Sequence, residues 1–368
     1  MNFNLTEKNT LITTDPDVDH NKPKDLEKIL DIRLYPVLRN LIKGNRMELF
    51  LGTINEMIAY YRSKNAVILF EFTIPSSATY YLAKRGEDDL FVIMAGLVGR
   101  ENLIAQLITL KLAGISLDNI EIIGEITHFK VLFNNDFNSA IKKFPTLQTK
   151  AHVLIVAGCR LEGMVSQVVK DELGEKLETS EQFKGNIISF VYDLLSNGTI
   201  GIITLNLNLN LNYGEITEEV VKLFLENCNC SHVFIEGAAG YLSTLFPIGT
   251  RITISKARNV EGEIVQVEPW FKDDNISPMH LHVPTIFIET YNWLKEAKEY
   301  RTSVDIETFY ILRAIQNHKI KIKIKIKIKA DCGLFISDHV GEKSLREYSN
   351  VFKEYSHVLT RFLRRILI

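Results

Sequence analysis

The sequence predicts an α/β protein in two parts, an N-terminal α/β region and a larger C-terminal α/β domain. Three observations carry that prediction. Short apolar runs recur along the chain, among them AVILFEF at 66–72, FVIMAGLVG at 91–99 and HVLIVAG at 152–158. Longer segments between them have apolar residues three and four apart, the period of a half-buried helix. The two patterns alternate, as they do where helices cover a sheet.

Residues 1–24 are polar and acidic and read as a flexible leader ending at Asn21-Lys22-Pro23-Lys24. Residues 25–149 form the N-terminal region. DLEKILDIRLYPVLRNLIKG predicts a helix bent near Pro36 and closed at Gly44. A second helix is expected from Met47 to Tyr61. AVILFEF reads as a buried strand, SSATYYLAKRGEDD at 76–89 as helix and turn, and FVIMAGLVG as a strand. ENLIAQLITLKLAG at 101–114 is an apolar-faced helix, and IEIIGEI at 120–126 a third strand. That order suits a βαβ-like unit, either a small separate sheet or an extension of the main one. No motif within it assigns chemistry.

Residues 150–368 form the second domain. After HVLIVAG, residues 191–204 continue in strand pattern, with Asn197-Gly198 as a hairpin signal. GEITEEVVKLFLENC at 214–228 is amphipathic, with Val220, Val221, Phe224 and Leu225 on one side. HVFIEGAAGYL at 232–242 reads as a strand running into a small-residue loop, and RITISKA as a strand after Gly249-Thr250. ETYNWLKEAKEY at 289–300 and VDIETFYILRAIQNH at 304–318 predict helices. GLFISD at 333–338 is a strand with an acid at its end, and a long helix closes the chain. LNLNLNLN at 205–212 and KIKIKIKIKIK at 319–329 alternate strictly. A strand with one face on the core and one solvated explains the second run, and its lysines discourage edge-to-edge association. Aromatic residues for stacking on nucleic acid do not interleave with them.

Composition narrows the function. The chain is 46% hydrophobic and 24% charged, which suits a globular protein with a sizeable core. A formal net charge of −2 supplies no positive field to gather nucleic acid or anionic lipid. The four cysteines include only a C-x-C pair, Cys228 and Cys230, with no second pair to complete a zinc site. Reduced thiols in a cytosolic protein are the expectation. The start lacks a secretory pattern, and no stretch nears the ~18 apolar residues of a membrane span. The chain therefore reads as cytoplasmic, without nucleic-acid or membrane partners. It has no P-loop, dinucleotide glycine motif, nucleophile elbow or zinc-hydrolase motif.

The chemistry-bearing residues cluster late. Asp305 and Glu307 lie in VDIET near a helix start, and Asp338 ends a strand, the edge where open α/β sheets bind ligands. Taken singly, such acids also serve as caps or as electrostatic support for a helix. Taken with Gly237-Ala238-Ala239-Gly240-Tyr241-Leu242, their order and spacing resemble the nucleoside phosphorylase and nucleosidase superfamily, in its purine and 5′-methylthioadenosine branch. GAAGYL stands where that family has G-x-A-G-G-L, VDIET where it has V-D/E-M-E-T/A, and Ser337-Asp338 where it has S-D. Gly249-Thr250 stands where it has G-D. The resemblance spans about residues 151–368 and implies a three-layer α/β/α domain on a mixed central sheet.

It also implies roles. Glu307 accepts hydrogen bonds from ribose hydroxyls, and Ile306 packs beneath the sugar. Asp338 addresses purine N7 with Ser337 orienting it, and Ala238, Ala239 and Gly240 admit close approach of the backbone. Glu162 stands near the place of the water-activating base, although a cap or surface role is open to it as well. Phosphorolysis would need inorganic phosphate as co-substrate and a cradle for it, for which only Arg160 and Gly214 are candidates. Arg251 and Arg258 read as surface cations. Trp270 and Phe287, with Phe271 and Tyr291, either line the base pocket or serve core and subunit contacts. His280 and His282 share a face if they lie on a strand, but no third ligand is evident, so no metal or other cofactor is predicted. Three activities stay open: hydrolysis of a purine nucleoside or thio-nucleoside, phosphorolysis, and nucleoside binding without catalysis. The resemblance also implies a homo-oligomer.

Overall fold

A computed structural model of the chain describes residue 30 and residues 34–72, 79–97, 99–118, 120–126, 128–145, 153–157, 164–172, 177–185, 188–195, 200–207, 214–228, 231–269, 275–284, 291–300, 302–321, 329–341 and 351–367. Its strands form two sheets.

The N-terminal region is built on five strands in the order β2-β3-β4-β1-β5. Helix α1 (Pro36–Gly44) starts on proline, whose fixed φ and missing N–H suit a first helical turn. Strand β1 (Arg46–Leu51) and helix α2 (Ile54–Ser63) follow, where the sequence predicts one helix from Met47 to Tyr61. Thr53 starts α2 in a capping box with Glu56. The apolar run before it is an interior strand covered on both faces, a setting in which period cannot separate strand from helix.

Strands β2 (Ala66–Phe72), β3 (Thr79–Arg85) and β4 (Asp89–Leu97) are antiparallel neighbours. Helix α3 (Arg100–Leu112) then leads to β5 (Ile120–Ile123). Both β4 and β5 pair in parallel with β1. Two corrections arise here. The 76–89 segment contributes strand β3 rather than helix, with Tyr80, Tyr81 and Ala83 buried. AVILFEF is an edge strand, not a buried one, and Val67, Leu69 and Phe70 are at least half exposed.

Helix α4 (Phe129–Lys143) precedes residue 150, yet sends Phe129, Phe133 and Phe137 into the core of the second sheet. That sheet has twelve strands. In chain order they begin with β6 (Val153–Ala157), helix α5 (Met164–Glu172), β7 (Leu177–Lys184), β8 (Ile188–Leu195) and β9 (Ile200–Leu207). The predicted hairpin is present, since β8 and β9 are antiparallel. Helix α6 (Gly214–Asn227) buries Val220, Val221, Phe224 and Leu225, each apolar side chain contributing about 1.5–3 kcal/mol. It leads to β10 (His232–Tyr241), β11 (Arg251–Ile254), β12 (Lys256–Arg258), β13 (Ile264–Gln266), β14 (Ile276–Ser277) and β15 (His280–His282). Helix α7 (Tyr291–Ala297), β16 (Ser303–Asp305), α8 (Thr308–Lys321), β17 (Lys329–His339) and α9 (Val351–Leu367) complete the order.

Both parallel and antiparallel pairs occur in this sheet, and helices cover both faces. Helices α4, α6 and α8 pack on one face, and α5 and α9 on the other. The alternating KIKIK run is divided: α8 extends to Lys321, β17 starts at Lys329, and 322–328 lie outside the described residues. Of LNLNLNLN, β9 takes in Leu205–Leu207 and the rest lies outside them. Among the described residues no helix is long and apolar enough to cross a membrane.

Candidate active site

Strand β10 organises the site. It pairs along its whole length with β17 in parallel. On its other edge it pairs with β6 from His232 to Glu236, and with β16 at Gly240 and Tyr241. Between those ladders, Gly237–Ala239 has no strand partner on that side among the described residues. The GAAG segment is therefore strand rather than loop, placed where one neighbour gives way to another at the carboxyl end of β6. Such a change of neighbour is where open α/β sheets bind ligands.

Asp338 reaches this place through an irregularity in β17. Ala239 is in register with Ile336, but Gly240 is in register with Asp338, so Ser337 is an extra residue. Side chains alternate along a strand, and one inserted residue reverses the alternation beyond it. Ile336 faces the core beneath α4, α6 and α8. Asp338 faces the opposite way, over Gly240, where a Cβ would lie 3.5 Å from its carboxylate and 2.6 Å from Val340. Asp338 is 2% exposed. The Ser337 hydroxyl stands 2.6 Å from Asp338 Oδ1 and 3.1 Å from the Ala239 carbonyl, and can donate to either.

The VDIET turn lies on the other side of β10. Gly240 is in register with Val304 as well as with Asp338. Asp338 and Val304 thus stand two strand spacings apart, roughly 10 Å, and Glu307 follows three residues later. Val304, Val340 and the partly buried Ile306 belong to one apolar cluster, so the turn and the acid share a face of the sheet.

Asp305 holds the turn. Its Oδ1 accepts from the Glu307 and Thr308 N–H groups at 3.0 and 2.9 Å, its Oδ2 accepts from the Thr308 hydroxyl, and it caps α8. Glu307, partly exposed, accepts from the Ile306 N–H at 3.3 Å. Behind Asp305, His280 Nε2 lies 2.9 Å from Oδ1, while His280 Nδ1 lies 2.9 Å from the Ser303 hydroxyl. Burial alone would raise the Asp305 carboxyl, but the His280 charge and these hydrogen bonds hold it below its ordinary range. His282 Nε2 contacts Glu101 at 3.0 Å. The two histidines are thus engaged with carboxylates, and among the described residues no three His, Cys, Asp or Glu side chains are grouped to hold a metal ion.

No protein-family model matches the chain, and no curated protein does. Solved structures similar to it include nucleosidases and a hydrolase. One is the 5′-methylthioadenosine/S-adenosylhomocysteine nucleosidase of Helicobacter pylori, with butyl-thio-DADMe-Immucillin-A (TM-score 0.44, 10% identity, 59% of this chain and 98% of that one). Another is an S-adenosylhomocysteine nucleosidase from Streptococcus pyogenes with 5-methylthiotubericidin (0.42, 11%, 59% and 98%). A third is a futalosine hydrolase mutant of H. pylori (0.42, 9%, 59% and 99%).

Several sequence candidates meet in this part of the fold. Ser337, Asp338, Ala238, Ala239, Gly240, Ile306 and Glu307 lie on β10, β17 or the turn after β16. Gly214 opens α6 beside that turn, and a Cβ there would lie 2.1 Å from the Tyr310 ring and 2.9 Å from the Ile306 carbonyl. This close approach accounts for a glycine at that position. Glu162, Arg160, Trp270, Phe271 and Phe287 lie outside the described residues. Arg251 corrects the surface reading: it is 1% exposed and bonds Glu236 through two nitrogens, at 2.7 and 3.0 Å. Sequence reasoning also missed the Asp305–His280 pair, for which the H-x-H spacing was the available signal.

Proposed function

We propose that residues 150–368 form a nucleoside-binding domain that hydrolyses the N-glycosidic bond of a purine nucleoside or related thio-nucleoside. The observation that carries this reading is the row Asp338, Gly240, Val304 across three neighbouring strands. One nucleoside spans roughly the separation of that row, base at one end and sugar at the other. In this reading Asp338 gives a proton to purine N7, with Ser337 orienting it, while the C1′–N9 bonding pair leaves with the base. Protonating the leaving group lowers the barrier. Glu307 binds the ribose hydroxyls, and its negative charge complements the cationic character that develops on the sugar. Ile306 packs under the ring. Water adds its oxygen to C1′ and yields a proton to Glu162.

Incubating the full-length protein with adenosine, inosine and methylthioadenosine, with and without inorganic phosphate, tests this. Free base and free sugar are expected without phosphate. Product formed only with phosphate would mean phosphorolysis, and saturable binding with no product would mean a nucleoside-binding protein. Neither product nor binding would reject the reading.

A further inference from the structure

The N-terminal region meets the second domain through a buried carboxylate. Glu101, in the first turn of α3, is 7% exposed. It accepts a 2.8 Å hydrogen bond from the Tyr310 hydroxyl and lies 3.0 and 3.2 Å from His282 Nε2. Both partners flank the VDIET turn. His282 is the register partner of Asp305, and Tyr310 follows Glu307 by three residues on α8. Leu281 and Val283 belong to the apolar cluster of Val340 and Ile306. Alternation along the strand therefore puts His280 and His282 on the reverse face, away from Asp338.

A second carboxylate fixes the approach. Glu215, at the start of α6, accepts from the backbone N–H groups of Arg100 and of Glu101, the latter at 3.1 Å, and so caps α3 across the junction. Gly99 has φ +79°, and a Cβ there would lie 2.7 Å from Glu215, so the chain enters α3 hard against that acid. Burying a carboxylate is costly unless it is hydrogen-bonded, and here the buried Glu101 and the partly buried Glu215 both bond across the junction between the two sheets.

We propose that the N-terminal α/β region sets the sugar-binding turn, with Glu101 as a positioning residue that acts on Glu307 through His282 and Tyr310. The proposal rests on the nucleosidase reading of Glu307. Glu101 touches no substrate. It holds the strand on one side of the turn and the helix on the other, so that the turn presents Glu307 at a fixed height above the ring.

The test uses full-length Glu101→Gln and the milder Tyr310→Phe, each assayed with adenosine and with 2′,3′-dideoxyadenosine. For Glu101→Gln, KM for adenosine should rise about tenfold, the size of one hydrogen bond to a charged group, with little change in kcat. KM for the dideoxy substrate, which lacks the hydroxyls Glu307 would hold, should stay the same. Tyr310→Phe should repeat the pattern at smaller size, and in a Glu307→Gln background the adenosine effect should vanish. An equal change for both substrates, or none, overturns the proposal. Amide hydrogen exchange over residues 303–310 needs no nucleoside: faster exchange in both variants is expected, and unchanged exchange also overturns it. If the wild type neither binds nor cleaves nucleosides while exchange still quickens, the nucleosidase reading falls and the positioning of the turn stands.

Discussion

The two halves of β10 show one strand face put to different uses. In the first half, between β6 and β17, Glu236 is buried and held by both ends of the Arg251 guanidinium. That guanidinium lies 3.8 Å over the Phe362 ring and fills the space a side chain at Gly333 would need. In the second half β6 has ended, β17 carries its extra residue, and the same face bears Gly240 beneath Asp338. A buried acid is thus no sign of a site in itself. What separates the halves is the ladder: continuous beside Glu236, and changing partner beside Asp338.

Substitutions in the two halves should therefore differ in kind. The largest effect is expected from Asp338→Asn, which keeps shape but removes the proposed proton donor. Turnover should fall by about 10²- to 10⁴-fold, the usual contribution of a general acid, with nucleoside affinity and melting temperature little changed. An unaltered rate in a product assay would reject the role given to Asp338. Glu236→Gln should do the reverse. It leaves Arg251 as an uncompensated buried cation, and loss of one partner from such a pair costs about 3–5 kcal/mol, readable in urea unfolding. Chemistry in the molecules that remain folded should persist. If Glu236→Gln instead spares stability and stops turnover, the contrast between the halves is wrong.

The smallest effect is one of pH. The Asp305 carboxyl is held below its ordinary value of 3.8 in the folded chain. Its charged form therefore stabilises the fold at neutral pH, and that contribution fades as pH falls below about 4 and through the lowered folded value. Asp305→Asn should lower stability at pH 7 and flatten its decline in acid. Parallel acid-unfolding curves for the two proteins would remove Asp305 from the account.

The sequence was legible where one physical rule acted alone. VLIVA is apolar throughout because both faces of β6 are covered, and α6 carries a clean helical period because it is buried along one stripe. It misled where two rules compete. Met47–Leu51 has no polar alternation because the core covers both faces, and Glu48 in its midst is accommodated by the Tyr61 hydroxyl at 2.5 Å and by Arg46 at 2.8 Å. AVILFEF has the composition of a central strand and the position of an edge. At the site, GAAG and Ser337-Asp338 were visible as short motifs, whereas the Glu236–Arg251 and Glu101–His282 pairs join residues 15 and 181 apart. No local pattern encodes such pairs.

The direction in which Asp338 points is a question of parity. It follows from whether Ser337 takes a place in the ladder or stands outside it as an extra residue. If Ser337 took a place in the regular alternation instead, the carboxylate would swing from the side of Ile306 to that of Ile336 and helices α4, α6 and α8, leaving both flanking motifs intact. A comparison of related chains that scored identities alone would pass over such a change, though it would turn a chemical face into a structural one.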